Sequence, residues 1–227
     1  MVIDLTPRLQ SAASLVPHCH TAADVGTDHG YLSAWLLESG RAQHVFATDI
    51  HAGPLARARQ TAEERGLLDR MELRLCDGLQ FEGAQAAQTI VICGMGGETM
   101  VSILNAAPWT WNDTTLVLQP QSKQALLYDW LQAHQISISA AKLCTDSGRR
   151  YLVFRAGDSK DANQTVEDVL LRDHDPLFPD YLADEIRRIR SALNGINASA
   201  RDLDAQRMIL ERQLQYFDHY RKAVEAW

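Results

Sequence analysis

The chain has 227 residues, of which 46% are hydrophobic and 22% charged; this composition is typical of a globular protein with room for one large domain and a smaller appendage. The net charge of −7 argues against a strongly basic nucleic-acid-binding arm, because phosphate contacts come from a surplus of lysine and arginine; a local basic patch stays compatible with it. Four scattered cysteines give no sign of a zinc or disulfide framework, and no apolar run approaches the ~20 residues of a membrane span. We therefore expect a cytoplasmic protein without a metal or a membrane anchor.

The chain opens with a helix and then a strand that ends in a glycine-containing turn. Apolar residues at helical spacing predict a helix that stops at Pro17. The strand that follows carries one carboxylate, Asp24, and Gly26 and Gly30 bracket the turn before the next helix. Glycine permits positive φ and the close approach of a ligand, and the start of a helix offers unpaired N–H donors. This stretch therefore predicts a nucleotide-type binding turn.

Further strands alternate with helices along the next hundred residues. We predict strands over 44–49, 71–76, 89–93 and 115–119, with helices between them. Two later β segments, 136–143 and 150–155, flank Asp146-Ser147-Gly148, which has the composition of a turn. Residues 1–157 are thus predicted to form an α/β domain, a Rossmann-like sheet whose last strand is antiparallel.

The remaining residues, 158–227, have a different character. A polar hinge over 157–161 precedes apolar residues repeated at steps of three and four, from Leu182 to Val224, with a break near 194–202. This spacing predicts a C-terminal domain of two amphipathic helices in a coiled-coil hairpin. Its expected role is packing or weak self-association, and its interspersed charges are typical of a solvated helix face.

Two more carboxylates follow predicted strands. Asp49 comes 23 residues after Gly26 (49 − 26), close to the ~20-residue interval at which doubly wound folds place an acid against ribose hydroxyls; the alternative is a turn cap. Asp77 precedes Gly78 and would accept a hydrogen bond from an adenine amino group or simply form a turn. Because the carboxyl ends of parallel strands share one edge, we expect these acids to lie together.

Asp28 decides which ligand the turn favours. A dinucleotide fingerprint needs G-x-G-x-x-G, and Asp28 occupies the place of the middle glycine, where a carboxylate would repel a pyrophosphate. A cationic or zwitterionic ligand suits the turn better, and S-adenosylmethionine offers a sulfonium, an amino group, a ribose and an adenine to match the acids. The alternative role of Asp28 is to cap the following helix.

Three motifs in order carry a specific resemblance. They are Asp-Val-Gly-Thr-Asp-His-Gly-Tyr-Leu from residue 24, Ile-Cys-Gly-Met-Gly-Gly from residue 92 and Leu-Gln-Pro-Gln from residue 118. Together they resemble the bacterial TrmK family, which methylates N1 of adenine 22 in tRNA. Gly30 stands where the family commonly has alanine, and Gln121 where it commonly has asparagine.

The resemblance implies a set of site residues. Asp28 is the candidate for the carboxylate that stabilises or deprotonates the target base, and Tyr31 is a candidate for stacking on it. The implied contacts to S-adenosylmethionine come from Asp24, Gly26, Asp28, Gly30, Asp49, Asp77, Gly78, Gly94, Met95 and Gly96. The target base would enter beside residues 94–97, including Gly97, for which tight strand–helix packing is the alternative, and Gln119 and Pro120 are further candidate substrate contacts. Contacts to tRNA phosphates would come from the few positive groups available, with Arg8, Arg149, Arg150 and the arginines of the C-terminal domain as candidates; for Arg8 the alternative is a solvated charge.

Two other classes of protein stay open at this point. A methyltransferase acting on another RNA, a protein or a small molecule would share the cofactor pocket. A non-catalytic adaptor would use the C-terminal helices to bind partners and would not bind S-adenosylmethionine.

Overall fold

The computed structural model describes residues 2–111, 113–157, 164–197 and 203–227. The chain divides into two compact units, Met1–Val166 and Glu167–Trp227. The domain boundary was predicted after residue 157, and the polar hinge over 157–161. Residues 158–163 lie outside the described residues, so the structure describes neither the chain just after this boundary nor most of the hinge. The same holds for much of the predicted break at 194–202.

Unit 1 is built on one seven-stranded sheet in the order β3-β2-β1-β4-β5-β7-β6. The first five strands pair in parallel, whereas β7 is antiparallel to both β5 and β6. This arrangement confirms the predicted fold class. The strands are β1 Cys19–Val25, β2 Ala42–Asp49, β3 Met71–Leu75, β4 Thr89–Gly96, β5 Thr115–Ser122, β6 Ile138–Asp146 and β7 Arg149–Ala156. The helices are α1 Pro7–Leu15, α2 Tyr31–Glu38, α3 Ala52–Glu64, α4 Gly97–Ala106 and α5 Gln124–Ala133.

The apolar pattern of the central strands explains why the sheet is covered on both faces. Ile90, Val91 and Ile92 of β4 are all fully buried, as expected of a continuous apolar run in a parallel strand. Helix α1 begins at Pro7 behind the N-cap Thr6 and packs against β6 and β7. The strand order reverses between β1 and β4, and ligands of such sheets bind at the carboxyl ends of the strands beside this point.

Unit 2 contains three helices, α6 Val166–Arg172, α7 Phe178–Asn197 and α8 Asp204–Val224. The short helix α6 was not predicted from the sequence. Helices α7 and α8 pack against each other, and Leu182, Ile186 and Ile189 of the predicted apolar seam are buried. The coiled-coil geometry itself stays a prediction. Among the described helices, none is both long enough and apolar enough to span a bilayer.

A cluster of carboxylates and tyrosines ties α6 to α7 and α8. Glu167 is buried and accepts hydrogen bonds from the hydroxyls of Tyr181, at 3.2 Å, and Tyr216, at 2.8 Å. The hydroxyl of Tyr220 donates to Asp168 at 2.7 Å. Burial raises the pKa of Glu167, and the bonds from the tyrosine hydroxyls oppose this rise.

Candidate active site

A cleft of about 530 Å³ lies at the carboxyl ends of the strands in unit 1. A smaller hollow of about 400 Å³ runs along β2 and β3 and contains none of the predicted site residues. The larger cleft brings together ten of them: Arg8, Asp24, Gly26, Asp28, Tyr31, Asp49, Asp77, Gly78, Gly94 and Met95. The other predicted site residues are not part of its lining, namely Gly30, Gly96, Gly97, Gln119, Pro120, Arg149 and Arg150.

Asp24 lies at the floor of the cleft, near the end of β1, and is only 3% exposed. Its Oδ2 accepts hydrogen bonds from the hydroxyls of Thr27, at 2.8 Å, and Ser33, at 2.7 Å. Burial raises the pKa of Asp24, and these hydrogen bonds offset only part of that rise. An ionised carboxylate in this position is costly for the fold, and a bound cation would relieve the cost.

The two glycines of the β1–α2 turn have different roles. Gly26 has φ +76°, and a Cβ there would lie 2.4 Å from Cε of Met95, so its missing side chain leaves room for the cleft lining. Gly30 also has positive φ, but a Cβ there would lie 3.0 Å from Cβ of Ala58 in α3. We therefore reassign Gly30 from cofactor contact to close packing of the turn against α3.

Asp28 faces solvent in the cleft, and its side chain is 63% exposed. Its Oδ1 accepts a hydrogen bond from Nη2 of Arg57 at 2.7 Å, and Nε2 of His29 lies 3.8 Å away. The N-cap of α2 is Gly30, without a side-chain hydrogen bond, so the alternative capping role of Asp28 is wrong. Arg57 also balances the charge of Asp28, which weakens the expectation that this acid repels a pyrophosphate.

An aromatic surface adjoins Asp28. Tyr31 is 44% exposed, and its ring stacks on that of His29 with centroids 5.2 Å apart and planes 19° apart. Both residues line the cleft. The sequence favours a mainly structural role for His29, whereas the structure places its side chain in the cleft lining next to Asp28.

Asp49 and Asp77 line the cleft from the ends of β2 and β3. Oδ1 of Asp49 accepts a hydrogen bond from the backbone N–H of His51 at 2.9 Å, while Oδ2 has no hydrogen-bond partner among the described residues. Asp49 therefore serves as a turn cap and still has an acceptor for a ligand. Asp77 is exposed. A Cβ on the adjacent Gly78 would lie 2.8 Å from Ile103, so Gly78 brings the loop close to this apolar side chain.

We expect Asp49→Ala to weaken binding of S-adenosylhomocysteine at least about fivefold, because two hydroxyls of a ribose would lose an acceptor. Isothermal titration calorimetry measures this change. Asp69→Ala is the matched control, because Asp69 is exposed and lies outside the cleft lining. Unchanged affinity in Asp49→Ala would contradict the ribose assignment.

Gln119 supports the irregular last part of β4, around Gly94. It is wholly buried, and its Oε1 accepts hydrogen bonds from the backbone N–H of Gly94 and from Nη1 of Arg8, each at 3.1 Å. Its Nε2 donates to the carbonyl of Pro120, which is itself buried. Gln119 and Pro120 are thus corrected from tRNA contacts to structural residues. Gln121 lines the cleft instead, and its place in the third motif was the signal.

The last two glycines of the second motif lie where α4 begins beside β5. A Cβ on Gly97 would lie 2.3 Å from the carbonyl oxygen of Lys123. A Cβ on Gly96 would lie 3.0 Å from Oγ of Ser122, a side-chain atom that can rotate away. Gly97 is therefore corrected from a tRNA contact to a packing residue, and Gly96 lies beside it, outside the cleft lining.

We expect Gly97→Ala to lower the free energy of unfolding by about 1–3 kcal/mol, since the added methyl group meets backbone that cannot move aside easily. Gly96→Ala is the matched control and should cost less. Thermal denaturation of both variants tests this prediction. Equal stability of the two variants, with lost tRNA methylation in Gly97→Ala alone, would instead support the substrate role.

Arg149 and Arg150 begin β7, opposite Asp146 and Thr145 of β6. Because β7 is antiparallel to β5, the turn between β6 and β7 lies at the same edge of the sheet as the carboxyl ends of the parallel strands. Both arginines lie outside the cleft lining, so their contact with RNA stays a prediction. In the described ranges, no group of three or more His, Cys, Asp or Glu residues could hold a metal ion.

Comparison with known proteins gives this cleft a family context. Residues 5–154 match a family described as a methyltransferase domain. The chain is 28% identical, over 209 residues, to the tRNA (adenine(22)-N(1))-methyltransferase of Bacillus subtilis (strain 168). This match covers 87% of this chain and 88% of that protein. The chain belongs to the TrmK methyltransferase family. The resemblance inferred from the three motifs is thereby confirmed.

Two solved structures extend the similarity over nearly the whole chain. A protein in the NADB-Rossmann superfamily from Streptococcus agalactiae is 32% identical with a TM-score of 0.83, and the match covers 97% of this chain and 99% of that one. Streptococcus pneumoniae Sp1610, in complex with S-adenosyl-L-methionine, is 26% identical with a TM-score of 0.79, covering 96% and 100% of the two chains. Both units of this TrmK-family chain therefore have counterparts in these structures.

Proposed function

We propose that this protein is an S-adenosylmethionine-dependent methyltransferase that transfers a methyl group to N1 of adenine 22 in tRNA. The observation that carries the proposal is the cleft at the carboxyl edge of the sheet, where Asp24, Asp49 and Asp77 succeed one another from β1 to β3. The choice of adenine 22 in tRNA as the substrate is supported by the similarity to the tRNA (adenine(22)-N(1))-methyltransferase of Bacillus subtilis.

The charges of the cleft fit the cofactor. S-adenosylmethionine carries an ammonium group and a sulfonium, for which the buried Asp24 and the neighbouring acids are suitable partners. Its ribose matches the available Oδ2 of Asp49, and the exposed Asp77 suits the adenine amino group. When bound, the cofactor supplies an electrophilic methyl group on a positively charged sulfur.

The protein's main contribution to the reaction is alignment. N1 of adenine carries a lone pair and no proton, so forming the N–C bond requires no general base, and the positive charge passes to the base. Correct orientation of two reactants can contribute about 7–11 kcal/mol. The β1–α2 turn and the last part of β4, held by Gln119, are the rigid parts that would fix this geometry, because side-chain hydrogen bonds hold both conformations.

Asp28 and Tyr31 are the residues we assign to the target base. The carboxylate of Asp28 would accept a hydrogen bond from the adenine amino group and stabilise the positive charge that the ring acquires. Arg57 holds this carboxylate from one side and leaves its exposed side to the substrate. The exposed ring of Tyr31, already stacked on His29, offers a face on which an extruded base can stack.

Recognition of the tRNA itself must depend on shape and on a few positive groups. N1 lies on the Watson–Crick edge, so the target must be unpaired or extruded. Arg149 and Arg150 lie at the edge of the sheet that bears the cleft and are our candidates for phosphate contacts.

We further propose that the C-terminal helices allow weak self-association, for which the exposed apolar side chains of Met208 and Ile209 are suited.

The decisive experiment incubates unmodified tRNA transcripts with labelled S-adenosylmethionine and analyses the nucleosides by mass spectrometry, followed by mapping of the position. We expect 1-methyladenosine at position 22, and none in a transcript with guanine there. Cofactor binding without RNA methylation would favour a protein or small-molecule methyltransferase. No cofactor binding by calorimetry would favour a non-catalytic adaptor.

A further inference from the structure

Among the described residues that line the cleft, Arg8 is the one arginine or lysine, and the lining is otherwise rich in carboxylates. From the sequence, Arg8 is a candidate for tRNA contact because it is one of the few positive groups available, and a solvated charge is the alternative. In the structure its guanidinium lies beside the last part of β4: a Cβ on Gly94 would be 3.0 Å from Nη1. The resulting question is which anion binds to this half-buried guanidinium.

Two contacts hold the guanidinium in place. Nη1 donates to the buried Oε1 of Gln119 at 3.1 Å, and the guanidinium carbon lies 5.5 Å from the centroid of the Tyr151 ring. An arginine fixed by a buried amide and an aromatic ring has already lost most of its side-chain freedom, so a ligand that binds it meets a smaller entropic cost.

The donors of Arg8 are largely unused. A guanidinium has five N–H donors, and within the described part of the chain only the bond to Gln119 uses one. No described acid forms an ion pair with Arg8, although four aspartates line the same cleft. A partly desolvated cation with open donors is a site for an anion, and a carboxylate fits its planar fork.

The position of Arg8 relative to Asp24 points to a particular anion. Asp24 pairs with Val91 on the β1 side of β4, whereas Gln119, which holds Arg8, pairs with Cys93 on the β5 side. An acid and a cation therefore lie on the two sides of β4 and line the same cleft. An α-amino acid carries an ammonium and a carboxylate on one carbon, and this pair of opposite charges complements it.

We propose that Arg8 is the anchor for the carboxylate of the amino-acid part of the cofactor, not a contact to tRNA phosphate. This inference rests on the proposed function and adds a residue to the same site. It makes Gln119 a positioning residue, since one amide oxygen holds both Arg8 and the N–H of Gly94.

The test compares two ligands that differ only in the amino-acid part. S-adenosylhomocysteine has the amino acid, whereas 5′-methylthioadenosine keeps the adenine, ribose and sulfur and lacks it. Calorimetry with Arg8→Met should show at least about tenfold weaker binding of S-adenosylhomocysteine and a change within about twofold for methylthioadenosine. Arg8→Lys, which keeps the charge without the fork, should lie between the wild type and Arg8→Met. Arg59→Met is the matched control, because Arg59 is exposed and outside the cleft lining.

Each other outcome overturns the inference. Equal losses for both ligands would show that Arg8 maintains the shape of the cleft, and binding of methylthioadenosine by Arg8→Met reports directly whether the cleft is intact. Unchanged affinity for S-adenosylhomocysteine with weaker tRNA binding would assign Arg8 to phosphate. If the wild type binds neither nucleoside, the proposed function fails together with this inference; if it binds both and only the ligand difference is absent, this inference alone fails.

Discussion

Replacing Asp28 with asparagine is expected to lower the rate constant of tRNA methylation about 100-fold while S-adenosylhomocysteine affinity changes less than about twofold. The reason is that the carboxylate stabilises the positive charge that develops on the target base, and removal of one positioned electrostatic group of this kind costs roughly 10²–10³-fold. An asparagine keeps the shape of the side chain and can still accept the hydrogen bond from Arg57.

Single-turnover methylation of tRNA with saturating cofactor measures this effect without interference from product release. Asp69→Asn, a substitution of an exposed acid outside the cleft, serves as the control and should retain the wild-type rate. A loss of cofactor affinity that fully accounts for the lower rate would show that Asp28 acts on the cofactor and would contradict its assignment to the base.

Replacing Asp24 with asparagine is expected to weaken S-adenosylhomocysteine binding at least about tenfold, and at neutral pH to leave the melting temperature unchanged or raised by a few degrees. The binding loss follows because a buried carboxylate next to an ammonium group is a strong, charge-assisted partner. The melting temperature is expected to stay the same or rise because burial raises the pKa of Asp24. The ionised form is therefore unfavourable in the folded protein, and the asparagine removes that charge.

The pH dependence has a definite sign. Since the pKa of Asp24 is higher in the folded protein than in the unfolded chain, its contribution to stability is lost as the pH rises from the ordinary aspartate pKa through the raised one. The wild type should therefore lose stability relative to Asp24→Asn over this interval. Thermal melts across that range, together with calorimetry at neutral pH, test both parts; a variant that is less stable and binds normally would contradict them.

The architecture was predictable because its signals are local. Alternating apolar strands and helices indicated the parallel sheet, and the turn at Asp146-Ser147-Gly148 indicated the antiparallel end of it, as β6 and β7 show. Helix α6 was missed because its seven residues are too few to establish a helical period beside a polar hinge.

The site was only partly predictable because several roles depend on distant partners. Arg57 lies 29 residues from Asp28 in the chain and contacts it directly, and Arg8 meets Gln119 across 111 residues. The glycines of the second motif illustrate the same limit. Gly94 borders the cleft, whereas Gly97 packs on the backbone at Lys123, and composition does not distinguish ligand approach from close packing.

The hydrogen bonds at the start of α6 decide where the C-terminal unit can be shortened. Glu167 and Asp168 depend on hydroxyls from Tyr216 and Tyr220 of α8, so removal of α8 would leave a buried carboxylate without one of its donors. A buried polar group that loses its hydrogen-bond partner costs about 1–3 kcal/mol, and more when it is charged. Truncation inside α8 is therefore expected to destabilise α6 and α7, so residues 167–227 should be retained or removed together.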